Sequence, residues 1–200
     1  MFFLGICGAS GSGKTTLALA LQKVFEDGAI ILPQDSYYRD HSDVPFEQRA
    51  GIDYDDPSAF DHELLYQDIR KLVNGGNITE KDYNYNYHIR SDTGKLIVPK
   101  GVLIFEGIHA FYDERLTAMM DLKVYMDTDP DTCLIRRIRR DTRERMRSLE
   151  SVLSQYETTV KPAYDKYITG YKRFADVVVT QNSRMEIVTD MLANYIDKKK

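Results

Sequence analysis

Two hundred residues, 42% of them hydrophobic and 29% charged, are enough to bury the core of one domain. A formal net charge of −4 removes any global reason to expect nucleic acid or an anionic membrane as partner. Cys7 and Cys133, far apart in sequence, make neither a disulfide framework nor a metal cage, so a reduced, cytoplasmic setting is the expectation.

The chain opens on an apolar run, residues 2–7, too short to cross a bilayer and read as a buried strand. Gly8-Ala9-Ser10-Gly11-Ser12-Gly13-Lys14-Thr15 follows at once, and a helix is predicted over residues 15–25. This is G-x-x-x-x-G-K-[ST] in its strand–loop–helix setting. Glycines at 8, 11 and 13 let backbone N–H groups turn inward around phosphate oxygens, and the helix points its positive end at them. Ser10 and Ser12 lie within that cradle, and Thr16 continues it into the helix. Lys14 supplies a point charge to the β- and γ-phosphates, and the Thr15 hydroxyl can ligate Mg²⁺. Nucleotide binding is therefore expected, with ATP or GTP as donor and Mg²⁺ beside it.

A second strand, residues 29–32, runs into Gln34-Asp35-Ser36-Tyr37-Tyr38. Asp35 stands at the end of a strand and so faces the rim where the phosphate loop opens. A carboxylate there can orient an alcohol and accept its proton, or it can simply start a turn. A helix is predicted over residues 61–73. From 77 to 99, Tyr83, Tyr85 and Tyr87 alternate with Asn before His88, Arg90 and the turn-like Asp92-Thr93-Gly94-Lys95, which reads as an antiparallel hairpin inserted in the core. Such insertions carry specificity more often than chemistry.

Residues 102–105 form a third core strand ending in Glu106-Gly107, and Glu106 is the candidate second metal-side carboxylate. Asp127, after a strand at 122–126, is a weaker competitor. A long helical region is predicted over 132–167, bent or broken by Pro162, and a last strand over 176–180. Within it, Arg136, Arg137, Arg139, Arg140, Arg143, Arg145 and Arg147 face only Asp141 and Glu144, with 136, 140, 143 and 147 on one helical face. A solvated basic helix or an RNA-binding face would look the same, but no aromatic interleaves the run. A lid closing over a triphosphate suits a P-loop chain better, and residues 136–147 are assigned to it.

Taken together the pieces resemble the uridine kinase (uridine–cytidine kinase) family, within the phosphoribulokinase/uridine kinase superfamily. The resemblance runs collinearly through residues 8–16, 34–39, 53–61, 83–90, 105–108, 127–129, 136–147, 154–156, 160–162 and 175–176. It implies one α/β domain over residues 1–200: a three-layer P-loop fold like that of nucleoside monophosphate kinases, with a five-stranded parallel sheet, the hairpin and the arginine lid. It implies phosphorylation of the 5′-hydroxyl of uridine or cytidine, a cytoplasmic enzyme, and a homo-oligomer, often a tetramer. By the same resemblance Asp35 is the base, and Asp55 and Arg147 hold the ribose hydroxyls. Tyr83 and His88 contact the pyrimidine, Arg137 and Gln155 line the acceptor pocket, and Arg140 and Arg145 reach the triphosphate.

Three departures bear on the acceptor. The family's Glu-Arg-Gly-Arg is Glu144-Arg145-Met146-Arg147 here, and Met is not expected to take up glycine's backbone conformations. The hairpin's Tyr-Asp is Tyr83-Asn84, and a proline usual before the last strand is replaced near Gly170. A sister kinase acting on a sugar phosphate or vitamin precursor is the nearest alternative, and a non-catalytic nucleotide switch the more distant one.

Overall fold

The computed structural model describes residues 1–49 and 51–200. In chain order the elements are β1 (Phe2–Gly8), α1 (Lys14–Phe25), β2 (Ala29–Pro33), the single turn α2 (Phe46–Arg49) and α3 (His62–Val73). The hairpin strands β3 (Ile78–Asn84) and β4 (Ile89–Ile97) come next, then β5 (Val102–Gly107), α4 (Glu114–Thr117) and β6 (Leu122–Asp127). A helical passage holds α5 (Pro130–Arg143), α6 (Leu149–Gln155), α7 (Lys161–Ala163) and α8 (Thr169–Tyr171), and β7 (Val177–Thr180) and α9 (Met185–Asp197) close the chain.

The sheet runs β2-β5-β1-β6-β7 with every neighbouring pair parallel. Its central strands are apolar at successive positions because both faces are covered. Phe2, Leu4 and Ile6 of β1 point into one core, with Leu17 and Leu21 of α1 and Leu192 and Ile196 of α9. Phe3 and Cys7 point into the other, with Leu65, Ile69 and Leu72 of α3 and Ile168 and Tyr171. This is the three-layer α/β P-loop architecture.

Local chemistry sets the boundaries. Asp61 caps α3 by accepting from the Leu64 N–H, Pro130 opens α5, and Ser148 caps α6 through the Ser151 N–H. The helical region breaks at residues 144–148 rather than at Pro162. Around that proline the path widens into π turns at Tyr156–Val160 and Tyr164–Ile168. A wide turn absorbs the missing N–H and the ring's clash with the preceding carbonyl without ending the helix.

The hairpin turn also differs from expectation. It is formed by residues 85–88, where Asn84 Oδ1 accepts from the N–H groups of Asn86 and Tyr87 and His88 takes a positive φ of 54°. Asp92-Thr93-Gly94-Lys95 lies inside β4, where the register shifts opposite Thr79–Lys81 as a bulge.

Candidate active site

The phosphate loop leaves β1 at the centre of the sheet and wraps residues 8–13 before α1 begins. Gly11 has φ +85°, and a Cβ there would stand 2.5 Å from the Cys133 carbonyl oxygen, so α5 packs against the loop only because the residue is glycine. Thr128 Oγ1 donates to the Ser12 carbonyl at 3.0 Å and buttresses the loop from β6. Lys14 is buried and its ammonium donates to the Ala9 carbonyl across the loop at 2.9 Å. Thr15 Oγ1 donates to Glu106 Oε1 at 2.8 Å, which joins the start of α1 to the end of β5. Burial raises the Glu106 carboxyl above its ordinary range, with Lys14 pulling it back.

Two cavities open over the ends of the strands. The first, about 790 Å³, is lined by the phosphate loop, Glu106, Arg136 and the segment after β7. The second, about 750 Å³, is lined by Tyr54, Asp55, His88, Arg137, Arg147, Gln155 and Thr159. Ser10, Asp35, Tyr83, Tyr85, Ile108, Arg140 and Arg145 line both. Asp35 thus stands where the two spaces meet, set there by the single turn after β2.

In the second cavity Asp55 is buried, and its Oδ2 accepts from Thr159 Oγ1 at 2.8 Å and from Gln155 Nε2 at 3.4 Å. Desolvation raises its pKa, and Arg137 and the Thr159 hydroxyl lower it again. Gln155 Oε1 in turn accepts from Arg137 at 2.8 Å and from Arg147 at 2.5 Å. The expected Asp55–Arg147 pair therefore shares one wall through Gln155, whose amide orientation the two ends fix. His88 stacks on Tyr54 at 4.8 Å with planes 13° apart, and its pKa is lowered by burial and then by Arg147. Tyr83 packs on Tyr38 and is buried, with its hydroxyl unpaired among the described residues.

The arginine run does not form one helical face, because α5 ends at Arg143. The chain turns back, with the Arg147 N–H on the Asp141 carbonyl at 3.1 Å, and brings four guanidiniums around one fully buried carboxylate. Asp141 is 2.8 Å from Arg140, and 3.6 Å from each of Arg137, Arg145 and Arg147. Arg137 and Arg140 also reach Ser10 Oγ, at 3.0 and 3.5 Å, so the arginine cluster lies on the phosphate loop. Met146 takes φ +54° with its side chain 86% exposed, so methionine does occupy a glycine-like backbone here and its bulk projects into solvent.

Four contributors escape a reading of the sequence. Thr159 is one, placed toward Asp55 by the first π turn, and Asp141 and Tyr85 are two more. The fourth is His109, fully buried after β5, with Nε2 on the Asp55 carbonyl at 2.7 Å and Nδ1 on the Tyr171 hydroxyl at 2.9 Å. The carbonyl can only accept, so Nε2 carries the proton and Tyr171 donates to Nδ1. Burial pushes the His109 pKa down to about 4, which keeps the ring neutral. Asp141 alone carried a signal, as one of only two acids within the arginine run.

Among known proteins, the chain is 42% identical over 194 residues to a uridine kinase of Ligilactobacillus salivarius (strain UCC118), covering 96% of this chain and 91% of that one. It is 43% identical to a uridine kinase of Anoxybacillus flavithermus (strain DSM 21510 / WK1), covering 96% and 92%. The phosphoribulokinase from Rhodobacter spheroides superposes with a TM-score of 0.62 at 16% identity, over 90% of this chain and 69% of that chain, and shares the fold. Residues 3–188 match the Phosphoribulokinase / Uridine kinase family, and with these relatives the chain belongs to the uridine kinase branch of that family and is a phosphotransferase.

Proposed function

We propose that this kinase transfers the γ-phosphoryl group of Mg·ATP to the 5′-hydroxyl of uridine or cytidine, giving the nucleoside monophosphate and ADP. The observation that carries the reading is the place of Asp35, on the wall common to a phosphate-binding cavity and a second cavity with a buried carboxylate. In this reading residues 8 and 10–16 with Arg140 and Arg145 hold the triphosphate, and Lys14 takes the charge that develops on the transferred group. Asp35 orients the 5′-hydroxyl and accepts its proton. Asp55 and Arg147 hold the ribose 2′- and 3′-hydroxyls, with Gln155, Arg137 and Thr159 fixing both partners. The neutral His88 ring and Tyr83 meet the pyrimidine.

Thr15 and Glu106 offer two hard oxygen donors 2.8 Å apart beside the phosphate loop, a set that suits Mg²⁺, which is bound through one carboxylate, a hydroxyl and substrate phosphates. When bound it would neutralise phosphate charge.

The test is ADP release with Mg·ATP against uridine, cytidine, 2′-deoxyuridine, adenosine, ribulose 5-phosphate and pantothenate, with the product identified by chromatography. Turnover of uridine or cytidine to the 5′-monophosphate is expected. The deoxy analogue should lose at least about tenfold in kcat/KM, since a site built to bond a hydroxyl leaves buried polar groups unpaired without it. Turnover of the sugar phosphate alone would move the chain to another acceptor.

A further inference from the structure

Tyr85 has no part in the roles above, yet it lies on the wall shared by both cavities. Its hydroxyl donates to Asp35 Oδ2 at 2.7 Å, and the Arg145 guanidinium sits 4.0 Å from its ring centroid. Tyr83 supports the ring edge-on, with centroids 5.4 Å apart. No other side chain among the described residues hydrogen-bonds the Asp35 carboxylate, and Oδ1 is left open. Partial desolvation of a ring that keeps an exposed edge, and then the charge of Asp35, raise the Tyr85 pKa, so the phenol remains a donor at neutral pH.

An aspartate carboxylate turns easily about its last torsion, which is broad and roughly two-fold. A base must sit within hydrogen-bond reach of the proton it takes, and an error of about 1 Å can cost a hundredfold in rate. We propose that Tyr85 is a positioning residue for phosphoryl transfer: it holds Asp35 by one oxygen so that the other meets the acceptor hydroxyl, and its ring ties that orientation to Arg145 of the lid. As the acceptor oxygen bonds to the γ-phosphorus and the bond to the ADP oxygen breaks, the hydroxyl proton passes to Oδ1, and Tyr85 keeps its own proton. The inference rests on the reading of Asp35 as base.

The experiment is a double-mutant cycle in the full chain with Y85F, D35N and the double variant, measuring kcat, both KM values and the thermal midpoint. The acceptor is uridine, or whichever alcohol the wild type turns over fastest. Y85F keeps the ring under Arg145 and loses only the hydroxyl, so kcat should fall about tenfold with both KM values within about twofold. In the D35N background the same substitution should cost less than about twofold, because nothing is left to orient. A third variant, Y85L, removes the platform for Arg145 and should also raise the KM for ATP. Wild-type kcat in Y85F, or an equal loss in both backgrounds, overturns the role of Tyr85 alone. Wild-type kcat in D35N removes Asp35 as base, and both readings fall together.

Discussion

His109 is a residue whose protonation the fold forbids. The unfolded chain takes up this proton near pH 6.5, and the folded chain only near 4, because burial penalises the cation. Between those values the unfolded state binds more protons, so stability falls as pH drops. The contribution is whole above about pH 6.5 and is lost toward pH 4, roughly 3 kcal/mol in all and about 2 kcal/mol by pH 5. Asp55 and Glu106 act in the opposite sense, since their raised carboxyl pKa values make folding easier as pH falls. Urea midpoints at pH 7.5 and 5 should therefore be compared between the wild type and H109N. The wild type should lose about 2 kcal/mol more than the variant over that interval. Nothing in the sequence near 109 predicts this, because its partners come from residues 55 and 171. Asp35 and Glu106 were legible for the opposite reason: each follows its own apolar strand, and the end of a strand in such a sheet is the rim of the site.

At the scale of elements, the arginine cluster of residues 137–147 is held together because Asp141 is shared. A helix carrying seven arginines in twelve positions would repel itself if all of them faced solvent together. Turning back at Met146 gathers Arg137, Arg140, Arg145 and Arg147 on one buried carboxylate, and the left-handed residue is what the turn requires. Replacing Asp141 with Asn keeps the shape and removes the charge, leaving guanidiniums that crowd one another. Stability should fall by about 3 kcal/mol, the cost of breaking a buried ion pair from one side. The KM for ATP should rise at least about fivefold as the lid loses its fixed arrangement. Denaturant melts and steady-state kinetics on D141N measure the two effects separately. The basic run was legible in composition, but its geometry was not, since the helical period was extended past the point where α5 ends. The hairpin lies where the sequence puts it, but its turn does not. Asp-Thr-Gly-Lys has turn composition, yet the side chain of Asn84 closes the turn earlier and the later segment becomes a bulge.

Over the whole molecule, the alternation of apolar strands with helices announced a parallel sheet, and all five core strands lie where their apolar runs lie. The order of those strands was not legible, because it depends on which crossover packs over which face. The closing helix α9 was missed altogether, although Leu192, Ala193 and Ile196 complete the core beneath α1. Truncating Ile196, which is fully buried, should cost about 2–4 kcal/mol through lost transfer energy and the cavity left behind. The kinetic constants of I196A should stay within about twofold at 25 °C, because the cavity opens on the sheet face away from Asp35 and Asp55. Urea unfolding followed beside activity would separate the two.

The unequal make-up of the two cores also has an optical side. The chain has no tryptophan and 14 tyrosines. The core beneath Asp55 includes Tyr37, Tyr38, Tyr54, Tyr83, Tyr125 and Tyr171, whereas the buried residues of the opposite core include no tyrosine, and Tyr195 packs edge-on against its Phe2. Phenol absorption and emission therefore come almost wholly from the Asp55 side of the sheet. Near-ultraviolet circular dichroism will follow the closing of that side around a ligand, while the melting of α1 and α9 passes nearly unseen and must be followed through the peptide bands.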